Sequence, residues 1–310
     1  MRSATSLPAI GLFEAVSQLG LTALLGVLYA RRAHTLAAAG RPVKRARQLA
    51  FYSGLTVIAA TLLALDHLAE VSLTWHMGEH LLVSEIGSLL IVLGLTGPLI
   101  APVLRAPLLD RLRVLSNPLL AFPLWAADLY LWHLPALYES ALHSTPVHAL
   151  EHLCFIGFGV NMWMCLFGPL PMPRWFGNAG KLGYILAVRL TGTVLANIFL
   201  WSGTVFYPFY IHPDIVRHIS PLVDQNVAGA VMMVESSVLT ICLFCWLFMR
   251  TMRESEERQE LVELARGRGL ALSEERAGRA VSAGRAPLLR HRIEEGAEGA
   301  GATASWLSEV

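Results

Sequence analysis

Long apolar runs restrict the fold of this 310-residue chain more than any other feature of its sequence. A helix needs about 20 mostly apolar residues to cross the hydrocarbon core of a bilayer. The runs are continuous and lack the period-two alternation of barrel strands, so helices must satisfy their backbone groups. We therefore predict an all-α polytopic membrane bundle of about seven transmembrane helices. The predicted spans are residues 10–30, 49–69, 78–103, 118–136, 150–170, 182–202 and 226–249.

The composition agrees with an exterior that faces lipid. Hydrophobic residues make up 55% of the chain and charged residues only 15%, whereas soluble domains carry roughly 25% charged residues. The formal net charge is +1, so the overall charge gives no reason to expect a nucleic-acid partner.

Basic residues are divided unequally between the two sets of connections that join the spans. Those facing outward by our count carry little beyond Arg2 and Arg217. The other set carries Arg31, Arg32, Arg41, Lys44, Arg45, Arg47, Arg105, Arg111, Arg113, Arg174 and Lys181. The positive-inside rule then predicts an outer N-terminus and a cytoplasmic C-terminus. We expect a multi-pass protein of the bacterial plasma membrane.

The last part of the chain differs in kind from the spans. Residues 253–269 mix both charge signs at helical spacing, and a segment rich in Gly, Ala and Arg follows with few large apolar residues. Such a composition predicts a short amphipathic helix and then disorder. We therefore divide the chain into a seven-span membrane domain, 1–250, and a cytoplasmic tail, 251–310.

Two histidine pairs are the strongest indication of chemistry. His76 and His80 open the third span in W-H-M-G-E-H, and His148 and His152 open the fifth in H-A-L-E-H. An i, i+4 spacing places both imidazoles on one helix face. Both pairs lie at the predicted outer face, and polar residues within spans are usually functional. We predict that the two helix ends together present four nitrogens to one metal.

Other groups near the outer ends of the spans are candidates to complete or orient this site. The thioethers of Met77 and Met232 would favour Cu(I), although ordinary packing explains each methionine equally well. Carboxylates such as Glu79 and Glu151 would hold a ligating imidazole by bonding its far nitrogen. The possible additional ligands are Asp66, His133, Met77 and Asp224.

Three charges fall within predicted spans, and we expect them to face the interior of the bundle. They are Glu14, Arg189 and Glu235. Charged groups in hydrocarbon tend to pair with one another, which makes Arg189 and Glu235 a candidate ion pair.

Several blocks between residues 65 and 250 resemble a known family when read in order. The blocks are L-D at Leu65, HMGEHLL from His76, LIVLGLTGPL, LWHLPALYESAL, HALEHLCFIGFGVNMW, YPFY and DQNVAGAVMM. In order and spacing they resemble the polytopic cytochrome c oxidase assembly factors associated with caa-type oxidases, the CtaG family of the multi-span kind. One position departs: the family pattern usually has glutamine where this chain has Glu79, and a carboxylate there would favour a divalent metal.

The resemblance implies a non-enzymatic membrane chaperone that helps cytochrome c oxidase mature. Its expected cofactor is copper, with zinc as the weaker choice, bound through the outer-face histidines. The expected partners are the oxidase subunit that carries the outer-facing copper centre, an outer-side copper chaperone and the lipid bilayer.

Three other functions compete with this reading. Both histidine motifs fit H-x-x-E-H, in which zinc proteases use two histidines as ligands and the glutamate as general base. A b-type haem protein would use histidines from different helices as axial ligands, deeper in the bundle. A transporter would use the intramembrane charges as an ion path.

Overall fold

The computed structural model describes residues 9–105, 112–173, 175–282 and 284–298, and within these ranges it leaves out the side chains of residues 9–18, 66, 112–113 and 296–298. All regular secondary structure in these ranges is helical, as the sequence predicts. The α-helices are α1 (Ala9–Ala38), α2 (Arg45–Ala64), α3 (Asp66–Ala69), α4 (Leu73–Leu81), α5 (Ser88–Gly94), α6 (Gly97–Leu104), α7 (Pro118–Trp132), α8 (Pro135–His143), α9 (Thr145–Phe167), α10 (Asn178–Trp201), α11 (Ile211–Val216), α12 (Pro221–Gly267), α13 (Glu274–Ser282) and α14 (Ala286–Glu298). A π-helical turn, Leu82–Gly87, joins α4 to α5, and short 3-10 helices occupy Leu112–Ser116 and Pro208–Tyr210.

Among the described residues, five helical stretches are long and apolar enough to cross a membrane. Four of them are the helices α2, α9, α10 and α12, and the fifth is the continuous stretch Leu73–Gly94 formed by α4, the π-helical turn and α5. Each corresponds to one of the predicted spans. The chain is therefore an all-helical membrane protein in the part that the structure describes.

The predicted span 118–136 is interrupted. Helix α7 has 15 residues and ends at Trp132, and α8 begins only at Pro135. Proline disfavours helical backbone at the preceding residue, and Leu134 is accordingly extended, with φ −66° and ψ 130°. Since α7 is shorter than the roughly 20 residues of a span, it is not among the five. The span 10–30 lies in α1, where the side chains of residues 9–18 are not described. The count of seven spans and the orientation therefore stay predictions.

A glycine lets the two histidine-bearing stretches approach closely. A Cβ atom at Gly159 of α9 would collide with the backbone carbonyl of Ser84 in the π-helical turn. Beside this contact, the Ser88 hydroxyl donates to the Ile156 carbonyl at 3.4 Å. Small residues permit such backbone contacts between membrane helices. This joint lies directly after the two histidine motifs and sets the distance between them.

Arg189 bonds hydroxyl groups on α12. Its guanidinium donates to the Ser236 hydroxyl at 2.8 Å and to the Ser237 hydroxyl at 2.7 Å. These hydrogen bonds engage both terminal nitrogens of the guanidinium, and Arg189 also interacts electrostatically with Glu235, as the sequence predicts. The side chain of Glu14 lies outside the described residues.

The chain separates into two compact units, residues 1–240 and 241–310, with the boundary inside α12. In the second unit α13 and α14 are helical where the sequence suggested disorder, and α12 extends to Gly267. These helices share one apolar cluster, whose fully or nearly buried members are Leu261, Ala265, Ala277, Ala280, Val281, Ala286, Leu289 and Ile293. Several members are alanines, and small side chains let helices pack closely, so few large apolar residues suffice. The predicted boundary at 250 stays a prediction.

Candidate metal site between the two histidine helices

The two histidine motifs lie side by side and in register. Along each helix the ring centroids are 4.4 Å apart for His76 and His80, and 4.3 Å apart for His148 and His152. Across the helices, His76 faces His148 at 5.5 Å and His80 faces His152 at 5.4 Å. Because first faces first and second faces second, α4 and α9 run in the same direction here. The structure thus brings together the four imidazoles that the sequence singled out.

The glutamate of each motif faces the second histidine of the other helix. Glu151 Oε1 lies 3.8 Å from His80 Nε2, and Glu79 Oε1 lies 3.9 Å from His152 Nε2. Both separations exceed a hydrogen bond. The two carboxylates are almost fully buried, with 0% of Glu79 and 1% of Glu151 exposed. The sequence suggested that these residues orient their neighbours, whereas the structure places them among the donor groups themselves.

Three residues form a tight group of potential ligands. One ligand atom from each of His76, His80 and Glu151 lies within 4.8 Å of the other two. Ligands about 2.0–2.2 Å from one ion can be separated by at most roughly 4.4 Å, so small side-chain rotations bring all three to a shared ion. His76 Nε2, both nitrogens of His80 and both oxygens of Glu151 are buried and have no hydrogen-bond partner among the described residues. Buried polar atoms rarely stay unsatisfied, and a metal ion would satisfy His76 Nε2, one nitrogen of His80 and the Glu151 carboxylate.

A tyrosine determines which nitrogen of His76 is available to a metal. The Tyr210 hydroxyl lies 2.9 Å from His76 Nδ1 and donates to the Ala69 carbonyl at 3.1 Å. Burial raises the pKa of Tyr210 well above its ordinary value, so the hydroxyl keeps its single proton. Since that proton goes to a carbonyl, which can only accept, His76 Nδ1 carries hydrogen and Nε2 keeps its lone pair. Tyr210 ends the YPFY block of the family resemblance, but no local spacing links it to His76, which is 134 positions away in the chain.

His133 is oriented in the same manner but lies to one side. Its Nδ1 donates to the Leu129 carbonyl at 2.7 Å, and its buried Nε2 has no hydrogen-bond partner among the described residues. The ring of Phe155 contacts both His133 and His80, with centroids 6.1 Å and 4.7 Å apart. His133 therefore adjoins the donor group without belonging to the close set of three.

Comparison with known proteins shows which family the chain belongs to. A family model described as cytochrome c oxidase caa3 assembly factor matches residues 27–254 of the chain. The chain belongs to this family. A search of curated proteins and a search of solved structures each found no match. The matched range contains both histidine helices, so the donor group is part of the caa3 assembly-factor region.

In this assembly factor Asp224 caps the helix that carries the first histidine motif. Its carboxylate accepts hydrogen bonds from the Leu73 amide at 2.7 Å and from the hydroxyls of Ser72 and Thr74 at 2.9 Å and 2.7 Å. Carboxylates stabilise helix N-termini by satisfying the free amides and opposing the helix dipole. Asp224 therefore positions the beginning of α4, and its role as a ligand stays a prediction.

Met77 and Asp66 are the remaining predicted ligands. Met77 is buried to 1% exposure in an apolar cluster of the assembly factor, together with Met232, Tyr138 and Phe199. Its thioether is thus part of a packed core. Asp66 begins α3, and its side chain lies outside the described residues.

Proposed function

We propose that this assembly factor binds copper through His76, His80, His148 and His152 and delivers it to the copper centre of the caa3 oxidase. The observation that carries the proposal is the in-register pairing of two H-x-x-E-H helices around buried donor atoms. Imidazole ligands suit copper and exchange more readily than a closed cage of thiolates. The role is that of a chaperone without catalysis.

The proposed handover takes place at the outer face of a bacterial plasma membrane. We infer seven spans, an outer N-terminus and a cytoplasmic C-terminus from the distribution of basic residues. In that orientation the motifs open their helices at the outer side, toward the oxidase subunit that carries the outer-facing copper centre. An outer-side copper chaperone would supply the metal. Reporter fusions at the N-terminus and after residue 250 test the orientation: a cytoplasmic signal from the N-terminal fusion would overturn it.

The central test is metal content. The full chain is purified in detergent without metal-affinity steps, and copper, zinc and iron are measured together by mass spectrometry. We expect about one copper per chain, lost in a His76→Ala, His80→Ala variant. A His67→Ala, His212→Ala variant is the matched control, since both residues are exposed and lie apart from the motifs. Copper retained in the first variant, or lost equally in the control, contradicts the proposed site.

A zinc hydrolase is the second candidate, and one observation favours it. The close group contains two imidazoles and one carboxylate, which is also the donor set of several catalytic zinc sites. Stoichiometric zinc without copper would favour this function, and stoichiometric iron would favour haem. Peptide hydrolysis by the zinc-loaded chain, abolished by Glu79→Gln but not by the control variant, would then establish catalysis.

A further inference from the structure

The donor group constrains the kind of ion that the site can hold. Glu151 is 1% exposed and lies with His76 and His80 in the group of three. A carboxylate buried in a low-dielectric interior is either protonated or balanced by a positive charge, because desolvation of an unpaired anion costs several kcal/mol. Imidazoles that coordinate a metal are neutral. When Glu151 binds a metal as a carboxylate, the metal therefore supplies the balancing charge.

A second carboxylate lies beside the donor group. Glu79, at 0% exposure, lies 3.9 Å from His152 on the adjacent helix. Two buried carboxylates thus occupy one cluster of imidazoles. Carboxylate oxygens are hard donors, which suit a divalent ion better than monovalent copper.

The methionines nearest the motifs belong to a packed core. Met77 and Met232 lie in the apolar cluster with Phe199. Among the described histidine, cysteine, aspartate and glutamate side chains, the close donor group consists of two imidazoles and one carboxylate. Cu(I) prefers soft sulfur ligands, while mixed imidazole and carboxylate ligation suits Cu(II) and Zn(II).

We propose that the site takes its cargo as a divalent ion, copper as Cu(II), with Glu151 as a direct ligand beside His76 and His80. This inference rests on the proposed function and specifies the oxidation state of the copper that the assembly factor holds. Glu79 has a lesser part, as a nearby charge on the side of His152.

The test compares two oxidation states and two matched variants. The full chain in detergent is titrated with Cu(II) in air and with Cu(I) under anaerobic, reducing conditions, each against a competing chelator. Glu151→Gln removes the charge with little change in shape, and Glu79→Gln does the same in the other motif. We expect Glu151→Gln to weaken Cu(II) binding at least about 100-fold, because loss of a supporting partner alone costs roughly 10–100-fold. Glu79→Gln should weaken it by about tenfold or less.

Spectroscopy supplies a second readout that a merely structural effect would not change. Electron paramagnetic resonance of the Cu(II) form should show mixed nitrogen and oxygen ligation in the unmodified chain and altered parameters in Glu151→Gln. If Glu151→Gln fails to fold, judged by circular dichroism and gel filtration, Glu151→Asp retains the charge and should keep Cu(II) binding within about tenfold.

Each outcome separates the inference from the proposed function. Tight Cu(I) binding with weak Cu(II) binding, or Cu(II) binding unchanged in Glu151→Gln, overturns the inference and leaves copper binding intact. Zinc binding that depends on Glu151, without affinity for either form of copper, overturns the proposed function and keeps the divalent site. Failure to bind any of these ions overturns both.

Discussion

The helices α4 and α9 carry the same H-x-x-E-H pattern but are stabilised in different ways. Helix α4 has 9 residues, begins after the extended residue Ser72 and continues into a π-helical turn. Helix α9 has 23 residues of regular α-helix. The π-helical turn interrupts the regular α-helix directly after the first motif, and such turns occur frequently at functional sites.

The difference shows how one motif can be held rigidly without a long uninterrupted α-helix. Asp224 holds the beginning of α4, and Tyr210 holds His76. Helix α9 is held by its own length and by the contact of Gly159 with Ser84. The position of α4 therefore depends on residues that are distant in sequence. Helix α9 contributes Glu151 from a regular and uninterrupted α-helix.

Removing one histidine from each helix is expected to have the largest effect on Cu(II) affinity. We expect His80→Ala to weaken Cu(II) binding at least about 100-fold, because His80 belongs to the group of three and has two unsatisfied nitrogens. His148→Ala, in the other motif, should have a smaller effect of about tenfold. Chelator competition measures both. Equal losses would mean that the two helices contribute alike.

The joint between the helices is tested by a pair of glycines on α9. Gly159→Ala would press a methyl group against the Ser84 carbonyl, and we expect the free energy of unfolding to fall by about 3 kcal/mol. Gly157→Ala is the matched control, since a Cβ there meets nothing within 4 Å, and it should be neutral or stabilising by up to about 1 kcal/mol. Thermal unfolding in detergent, followed by circular dichroism, compares them. A control as unstable as Gly159→Ala would exclude the packing explanation.

Removal of the Asp224 cap at the beginning of α4 is expected to have the next largest effect on stability. Asp224→Ala removes the acceptor for the Leu73 amide and for two hydroxyls, and should destabilise the protein by about 2 kcal/mol. Asp224→Asn keeps one acceptor oxygen and should lose roughly half as much. Thermal unfolding of the metal-free chain provides the measurement. If metal affinity fell while stability was unchanged, Asp224 would be a ligand after all.

The smallest effect concerns the hydroxyl that orients His76. Tyr210→Phe keeps the ring and removes the oxygen 2.9 Å from Nδ1, so metal affinity should fall about tenfold. Tyr52→Phe is the control, because the Tyr52 hydroxyl bonds the Gly26 carbonyl, apart from the site. Unchanged affinity in Tyr210→Phe would show that His76 orients itself.

Much of the site could be predicted from local spacing. An i, i+4 repeat places two imidazoles on one face of any α-helix, so His76 with His80 and His148 with His152 followed from the sequence. That the two pairs share one site was predicted from their common position at the outer face, but the distance between them could not be, since it depends on the contact between Gly159 and Ser84 across two helices. The contacts of Asp224 and Met77 could not be predicted for the same reason: spacing shows that a donor is near a helix end, but not what it already bonds.

The helical class, the family and the five apolar stretches that are long enough to span a membrane could all be predicted from the sequence alone. They depend on hydrophobic length and motif order, which are properties of the chain and not of its packing. Tertiary structure decided which donors share one site. Glu151 joins His76 and His80, Tyr210 orients His76, and α13 and α14 fold on an apolar cluster. These results depend on which surfaces pack together, and packing is decided by shape and unsatisfied polar groups that no local pattern records.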